Sequence, residues 1–254
     1  RSRTAEWPEW ASNNVVRALQ DQGIAKPWIH QADAADLAHR GSHVVVSTGT
    51  ASGKSLTYQL PVLTDLESDP RATALYLSPT KALAQDQLAA VTALGVPGLR
   101  IATHDGDSSR EQREWTRDHA EYVLTNPDML HRSILPNHAR YSRLLGRLTH
   151  VVVDEAHRYK GVFGAHVSAV LRRLRRLAAS YGASPVFVCA SATISEPDAV
   201  AASLIGADDV VAVTDDGSPA PALDVVLLEP TPSLTETAAR LLAVRREAPP
   251  GLPL

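Results

Sequence analysis

The run VVVSTGTASGKSLTY joins a strand-like apolar stretch to a helix-like stretch through a turn of small residues. Small residues let backbone N–H groups curve around an anion, and the N-terminus of the following helix adds its dipole. Lys54 can bridge the outer phosphates of a nucleotide, and the Ser55 hydroxyl can ligate Mg²⁺. Thr48 replaces the first glycine of the G-x-x-x-x-G-K-[ST] pattern, but the flanking strand and helix favour this interpretation over an ordinary Gly/Ser-rich turn. We therefore predict a phosphate-binding loop formed by Thr48, Gly49, Thr50, Ala51, Ser52, Gly53, Lys54 and Ser55.

A second apolar strand, in THVVVDEAH, ends in the carboxylates Asp154 and Glu155. On its own, an acidic pair in this position is more often a turn or a helix cap than a catalytic site. A phosphate-binding loop after an earlier strand reverses that preference, because ligands of open parallel α/β sheets bind at the carboxyl ends of the strands. Asp154 would then hold Mg²⁺, and Glu155 would orient or deprotonate the attacking water, with Lys54 as the third catalytic side chain.

Short apolar runs recur between helical patterns along the chain. They predict strands at residues 43–47, 74–77, 99–103, 122–125, 150–153, 186–190 and 210–213. Most of these runs are near-continuous rather than alternating, as a parallel sheet covered on both faces requires. Strands that alternate with helices form βαβ units, so we predict an α/β fold with a mostly parallel, doubly wound sheet and helices on both faces.

Helix ends are marked by capping residues. Ser108 with Glu111 predicts a capping box, and Asn126 predicts an N-cap followed by proline at the first helical position. Gly95 and Gly206 follow periodic runs, as residues just beyond a helix C-terminus do.

The segment VLRRLRRLAAS carries an apolar stripe and, on the opposite side, a stripe of arginines. The arginines are Arg172, Arg173, Arg175 and Arg176. A helix with this spacing packs its apolar stripe on the core, and a solvated face is favoured for the arginines over a track for DNA.

The length of 254 residues suits one large α/β domain with an appendage. We expect an N-terminal helical segment at 1–41 and the main domain at 42–215. Residues 216–254 open with the linker-like stretch DDGSPAPA and hold a strand-like run at 223–228 and a short helical pattern at 235–246. Because this tail is too short to bury a core alone, we interpret it as a linker and the start of a truncated further domain.

Charge and composition narrow the classes of partner. The net charge is −3, so contact with nucleic acid would depend on local patches rather than on a basic field. No apolar run approaches the roughly 18 residues of a membrane span. The chain opens without an initiator Met or a signal-peptide core, and its single cysteine, Cys189, lies in an apolar run typical of a core. We expect a cytoplasmic protein without a membrane partner, and a piece of a longer chain.

Several motifs together resemble those of one family. The phosphate-binding loop, DEAH at Asp154 and SAT at Ser191 are similar to motifs I, II and III of superfamily-two helicases of DEAH type. The segments PWIHQADA, LSPTKALAQDQ, HDGD, LTNPDML, DEAHRYKGVFGAHV and CASATIS resemble, more closely, the MrfA/SftH/Hrq-like DNA helicases. The resemblance covers about residues 12–215 and implies a RecA-like P-loop NTPase domain. Residues 216–254 do not match the family's second RecA-like domain, which carries motifs IV to VI and the arginine finger.

The resemblance also implies roles for individual residues. Gln31 would read adenine, while the phosphate-binding loop and the acidic pair keep the roles given above. Three residues would couple the nucleotide state to the nucleic acid: His157, Ser191 and Thr193. The phosphate backbone of one strand would lie along Thr80, Lys81, Gly106, Asp107, Thr125, Asn126 and Asp128. Hydroxyls, backbone N–H groups and helix N-termini do grip phosphates, but ordinary capping is the alternative, for Thr80 and Asn126 above all.

The function implied by the resemblance is an ATP-dependent DNA helicase that moves 3′ to 5′ on single-stranded DNA and works in DNA repair. Its partners would be single-stranded or tailed duplex DNA and the second RecA-like domain of the same polypeptide, in a monomer. Without that domain, the isolated chain is expected to be nearly inactive, because an arginine finger is typically worth about 10³ to 10⁵ in rate. The alternatives are a double-strand DNA translocase, an RNA-directed DEAH ATPase, and a nucleotide-gated nucleic-acid-binding module that does not unwind.

Overall fold

The computed structural model describes residues 2–219 and residue 233. The chain divides into two compact units, Arg1–Pro219 and Ala220–Leu254. Among the described residues, no helix combines the length and the apolar character that crossing a membrane requires.

Of the three segments predicted outside the main domain, only the N-terminal one lies within the described residues, from residue 2 onward. The N-terminal segment at 1–41 belongs to the first compact unit, together with the sheet. The strand predicted at 223–228 and the helix predicted at 235–246 lie outside the described residues.

All seven predicted strands are present, each within two residues of its predicted limits. They are β1 (His43–Ser47), β2 (Thr73–Leu77), β3 (Ile101–Thr103), β4 (Tyr122–Thr125), β5 (Leu148–Val153), β6 (Val186–Ser191) and β7 (Val210–Val213). Every described strand pair is parallel, and the sheet order is β3-β4-β2-β5-β6-β1-β7. The α/β prediction with a parallel, doubly wound sheet is therefore confirmed.

Helices cover both faces of this sheet. They are α1 (Asn13–Asp21), α2 (Ile29–His39), α3 (Ser55–Ser68), α4 (Lys81–Ala93), α5 (Arg110–His119), α6 (Pro127–Met129), α7 (Ser142–Gly146), α8 (Gly161–Ser180) and α9 (Pro197–Ile205). Because strand residues alternate between faces, Val45 and Cys189 pack with α7, α8 and α9, whereas Val44 and Tyr76 pack with α1 to α4. Cys189 is fully buried, as predicted from its apolar run.

The strand register aligns the carboxyl ends of the central strands. Ser47 at the end of β1 pairs with Ser191 at the end of β6, and Val153 at the end of β5 pairs with Cys189. Because β6 lies between β1 and β5, the loops that follow these three strands emerge side by side at one edge.

The predicted capping box is wrong by one residue. Ser109, not Ser108, caps α5, and its partner is Gln112, not Glu111. The Ser109 hydroxyl accepts from the Gln112 N–H at 3.2 Å, and the Gln112 amide accepts from the Ser109 N–H at 2.7 Å. Ser108 belongs to the preceding turn, where its N–H donates to the Asp105 carboxylate at 3.0 Å. Both serines fit the capping pattern, so the turn decides which of them begins the helix.

The other predicted helix ends are confirmed. The Asn126 side chain accepts from the Met129 N–H at 2.9 Å and caps α6, with Pro127 at the first helical position. Gly95 and Gly206 follow α4 and α9 with φ of 63° and 67°, the left-handed conformation that glycine adopts without a steric penalty.

The arginines of α8 bind neighbouring chain segments, and the predicted solvated face applies only in part, because Arg172 and Arg176 are exposed whereas Arg173 and Arg175 are half-buried. Arg172 Nη2 donates to the Ser203 carbonyl of α9 at 3.3 Å, and Arg175 donates to the Gly206 carbonyl just beyond α9. Arg173 Nη2 donates to a main-chain carbonyl outside α9 at 3.2 Å. The last carbonyls of a helix lack intrahelical partners and carry partial negative charge, so guanidinium groups bind there.

We expect Arg175→Ala to lower the free energy of unfolding by about 1 to 2 kcal/mol, because it removes a charged donor from the end of α9. Arg176→Ala is the matched control, since Arg176 lies on the same helix and is exposed, and its effect should stay within about 0.5 kcal/mol. Urea unfolding followed by circular dichroism would measure both. Equal effects of the two substitutions would contradict the docking role of Arg175.

Candidate active site

A cavity of ≈ 500 Å³ opens at the carboxyl edge of the sheet. It is lined by Thr50, Ala51, Ser52, Gly53, Lys54, Ser55, Tyr58, Tyr76, Leu83, Asp86, Gln87, Ala90, Asp154, Glu155, His157 and Ala192. The phosphate-binding loop and the acidic pair thus face one space, as the sequence predicted. A larger cavity of ≈ 740 Å³ between α8 and α9 contains none of the predicted site residues.

The loop between β1 and α3 closes on itself through side-chain hydrogen bonds. The hydroxyls of Thr48 and Ser52 lie 2.7 Å apart, and the Ser52 hydroxyl donates to the Gly49 carbonyl at 2.8 Å. Lys54 Nζ donates to the carbonyls of Gly49 and Thr48 at 2.6 and 3.2 Å. Thr48 is buried, so the residue that replaces the usual glycine here contributes a bond that closes the loop.

The Lys54 ammonium lies close to several carboxylates. Burial lowers its pKa, and the charges of Glu155, Asp154 and Asp216 act in the opposite direction. Loss of hydration disfavours the charged form, whereas nearby negative charges favour it. The lysine is therefore a partly dehydrated donor placed between the loop and the acidic pair.

Both oxygens of Asp154 are held by hydrogen bonds. The Tyr76 hydroxyl donates to Oδ2 at 2.5 Å, and the Glu155 N–H donates to Oδ1 at 2.8 Å. Burial raises the Asp154 pKa, and the bond from Tyr76 acts against that rise. Sequence reasoning missed Tyr76, although a tyrosine in a buried strand needs a partner for its hydroxyl.

Further polar residues of the cavity were also missed. Tyr58 on α3 and both Asp86 and Gln87 on α4 line it, and the Tyr58 hydroxyl donates to Gln87 Oε1 at 3.4 Å. In the sequence, the polar residues of QDQ on α4 gave only a weak indication that this helix lines a binding site, because polar residues on one helix face are often simply solvated.

His157 connects the acidic pair to the end of β6. Its Nδ1 accepts from the Ala192 N–H at 3.2 Å, so the neutral ring carries its proton on Nε2, which lies 3.3 Å from Glu155 Oε2. The Ser47 and Ser191 hydroxyls both donate to the Ala192 carbonyl, at 3.1 and 2.8 Å. The structure therefore brings together His157, Ser191 and the base of the phosphate-binding loop.

Thr193 follows this network and is exposed. Its neighbour Ile194 donates its N–H to the Ser47 hydroxyl at 3.1 Å. The coupling roles of Thr193, His157 and Ser191 stay predictions.

Gln31 lies in the first turn of α2 and is buried against the loop. Its Oε1 accepts from the Trp28 N–H at 2.8 Å, and its Nε2 donates to the Gly53 carbonyl at 2.8 Å. An amide has a second N–H and a second lone pair, so these bonds leave capacity for a base edge. The adenine-reading role of Gln31 stays a prediction.

The donor set at this edge fits Mg²⁺. Magnesium is typically bound through one or two carboxylates and by substrate phosphates and waters. Asp154 supplies a carboxylate and Ser55 a hydroxyl to the same cavity. Within the described residues, no group of three or more His, Cys, Asp or Glu side chains could hold a metal ion alone. Such a site would therefore rely on the nucleotide for its remaining ligands.

The predicted nucleic-acid residues lie after β2, β3 and β4, which are neighbours in the sheet. Lys81 at the start of α4 pairs with Asp107 at 2.6 Å, beside Gly106. Thr80 caps α4, with its hydroxyl accepting from the Leu83 N–H at 3.4 Å. The structure thus places Thr80, Lys81, Gly106 and Asp107 on one continuous surface.

Thr125, the last residue of β4, and the residues that follow it form hydrogen bonds or ion pairs within the protein. Thr125 is buried, and its hydroxyl donates to the His104 carbonyl at 2.6 Å. Asn126 caps α6, as described, and Asp128 pairs with Arg132 at 2.9 Å. Of these three predicted residues, Thr125 therefore offers little surface to a nucleic acid.

Comparison with known proteins identifies one family and several similar proteins. The family described as DEAD/DEAH box helicase matches residues 28–200. The uncharacterized ATP-dependent helicase YprA of Bacillus subtilis is 42% identical over 222 residues, which cover 86% of this chain and 29% of that protein. The ATP-dependent helicase HRQ1 of Saccharomyces cerevisiae is 41% identical over 236 residues, which cover 90% of this chain and 22% of that protein. The chain thus spans less than a third of these relatives.

A solved structure extends the similarity to the fold. The crystal structure of the DUF1998 helicase MrfA bound to DNA and AMPPNP matches with a TM-score of 0.85 and 38% sequence identity. The match covers 95% of this chain and 36% of the MrfA chain.

We expect substitutions of the acidic pair to separate water positioning from binding. In the full-length protein, Glu155→Gln should leave binding of ATP with Mg²⁺ near normal and cut hydrolysis by roughly a hundredfold or more, because the water loses its base. Asp154→Ala should weaken binding as well, because it removes the buried carboxylate that Tyr76 orients. Fluorescent-nucleotide titration and a phosphate-release assay would measure the two effects. If both variants behaved alike in both assays, this division of labour would be wrong.

Proposed function

This chain belongs to the DEAD/DEAH box helicase family, and we propose that it is the ATP-binding first motor domain of a DNA helicase that moves 3′ to 5′ along single-stranded DNA and acts in DNA repair. Its sheet is RecA-like, and its relatives are ATP-dependent helicases of the Hrq/MrfA type. Because the chain spans 29% and 22% of two such relatives, the activity of the whole protein is a proposal.

The proposal rests on the cavity in which the phosphate-binding loop, residues 48–55 and called the P-loop from here on, faces the DEAH carboxylates Asp154 and Glu155. Lys54 would meet the outer phosphates of ATP, and the Ser55 hydroxyl and Asp154 would hold Mg²⁺. The bound ion would neutralise charge on the phosphate oxygens. Glu155 would orient the attacking water, with His157 fixing the carboxylate through the contact at 3.3 Å.

DNA is the proposed partner because a relative of similar fold has been solved bound to DNA and AMPPNP. The surface formed by Thr80, Lys81, Gly106 and Asp107 offers a lysine, a hydroxyl and the N-terminus of α4, groups that bind phosphates without reading sequence. Single-stranded or tailed duplex DNA suits such a surface. The 3′ to 5′ direction and the role in repair rest on the resemblance of the motifs.

The arginine finger would come from a second RecA-like domain of the same polypeptide, in a monomeric and cytoplasmic enzyme. Lys54 and Mg²⁺ can stabilise part of the negative charge that develops during phosphoryl transfer, and the arginine finger would stabilise the rest. The free, buried thiol of Cys189 is compatible with a reducing compartment.

The test is strand displacement by the full-length protein on DNA and RNA duplexes with 3′ tails, 5′ tails or blunt ends. We expect ATP-dependent unwinding of DNA with a 3′ tail, and its loss in Lys54→Ala, because the charge that meets the phosphates is gone. The 254-residue chain alone should hydrolyse ATP barely above background, even with saturating DNA. Unwinding of RNA alone, movement on blunt DNA, or binding without unwinding would each identify an alternative and overturn this proposal.

Salt dependence tests the proposed backbone contacts. DNA affinity of the full-length protein should be independent of sequence and fall steeply with salt, and Lys81→Ala should lower the log-log slope by about one unit. Lys26→Ala is the matched control, because Lys26 also forms an exposed ion pair, with Glu6, outside the predicted surface. Fluorescence anisotropy over a salt series would measure the slopes. A base-specific optimum, or equal slopes for the two variants, would count against backbone tracking.

A further inference from the structure

His30 is fully buried and bridges two segments that are far apart in the sequence. Its Nε2 lies 3.0 Å from the Ser52 carbonyl of the P-loop. Its Nδ1 lies 3.1 Å from the backbone nitrogen of Gly217. One ring therefore joins the P-loop to the segment through which the chain leaves its first compact unit.

The two partners fix the protonation of this ring. The Gly217 N–H can only donate, so Nδ1 must accept and carries no proton. The neutral ring then has its proton on Nε2, which donates to the Ser52 carbonyl. Both ring nitrogens are satisfied in this tautomer.

The bond to Ser52 sets the direction of a backbone donor. The Ser52 carbonyl and the Gly53 N–H belong to one planar trans peptide, in which the two groups point in opposite directions. With the carbonyl held toward His30, the Gly53 N–H points away from His30, and Ser52 and Gly53 both line the cavity. Gln31 acts in the same way on the next peptide, because it holds the Gly53 carbonyl at 2.8 Å and so directs the Lys54 N–H.

There is little free space between α2 and the P-loop. Gly53 has a φ of 61°, and a Cβ there would lie 2.5 Å from Gln31 Nε2 and 2.9 Å from a ring carbon of Trp28. The close approach of α2 to the loop therefore requires glycine at position 53. His30 and Gln31 are thus the adjacent residues of α2 that hold two consecutive peptides of the loop.

The other end of the bridge is a segment formed by residues 215–218, which we call the exit segment. The Asp216 carboxylate accepts from the Gly49 N–H at 3.3 Å and from the Ser218 N–H at 2.8 Å. The Arg3 N–H donates to the Gly217 carbonyl at 2.9 Å, and the Arg3 guanidinium pairs with Asp215. The exit segment therefore contacts the P-loop directly at Gly49 and, through His30, at Ser52.

We propose that His30 is a positioning residue that directs the Gly53 N–H at the phosphates of the nucleotide and ties their binding to the exit segment. This inference rests on the proposed function, because it assumes that the P-loop binds ATP. Since coupling between two sites is reciprocal, displacement of the exit segment weakens nucleotide binding by the same factor by which the nucleotide stabilises that segment.

Two substitutions separate the two bonds of His30. The amide of His30→Gln ends near the position of Nε2, so it can still donate to Ser52 but does not reach Gly217. The amide of His30→Asn ends near the position of Nδ1, so its oxygen can still accept from Gly217 but does not reach Ser52. His39→Ala is the control, because His39 lies on the same helix and stacks on Trp10, away from the P-loop.

In the full-length protein, we expect His30→Asn to weaken binding of a fluorescent ATP analogue about tenfold, the effect of one lost hydrogen bond, and to raise KM more than it lowers kcat. His30→Gln should stay within about threefold of wild type in affinity. Hydrogen exchange at the Gly217 amide should slow when nucleotide binds to wild type and to His39→Ala. That slowing should be clearly smaller in His30→Gln, because its link to Gly217 is cut and only the direct contact between Asp216 and Gly49 remains.

Each outcome decides one point. If wild type binds no nucleotide, the proposed function fails. If wild type binds but His30→Asn binds equally well, the positioning role is wrong, and if nucleotide leaves exchange at Gly217 unchanged in wild type, the coupling is wrong. Thermal unfolding of each variant would show whether it is folded, and a positioning role requires the affinity of a folded His30→Asn to fall while His39→Ala keeps wild-type affinity.

Discussion

The placement of β6 between β1 and β5 is the constraint on which the site depends. Parallel pairing brings the carboxyl ends of these strands to one edge, and the register of Ser47 with Ser191 leaves no freedom for the P-loop to slide. Ser47 then binds the loop after β6, and that loop binds His157. A continuous series of polar contacts therefore runs from Glu155, which lies 3.3 Å from His157, to the base of the P-loop.

This arrangement places opposite charges where hydration is poor. Burial lowers the Lys54 pKa and raises the Asp154 pKa, so each group is less favourably charged than it would be in water. The Tyr76 hydroxyl and the carbonyls around Lys54 replace part of the lost hydration with fixed dipoles. A phosphate that enters the cavity therefore competes with the Thr48 and Gly49 carbonyls for the Lys54 ammonium.

Local patterns predicted most of the fold and half of the site. The strands, the P-loop and the DEAH carboxylates are each contained in a few consecutive residues, so their spacing is visible in the sequence. Tyr76, His30 and Gly217 could not be assigned in this way, because their partners lie 22 to 187 positions away and only the sheet order brings them together. The carbonyl contacts of Arg172, Arg173 and Arg175 were not predicted for the same reason, since their partners belong to other segments of the chain.

The P-loop is held from two sides, by the ends of the central strands and by segments that precede and follow the sheet. On one side, Ser47 links it through Ala192 and His157 to the acidic pair. On the other side, His30 links it to the exit segment. A loop anchored in this way has few conformations to lose when it binds an anion, so less binding free energy is spent on ordering it. The same anchors make the geometry of the loop sensitive to changes at His157 and at the exit segment.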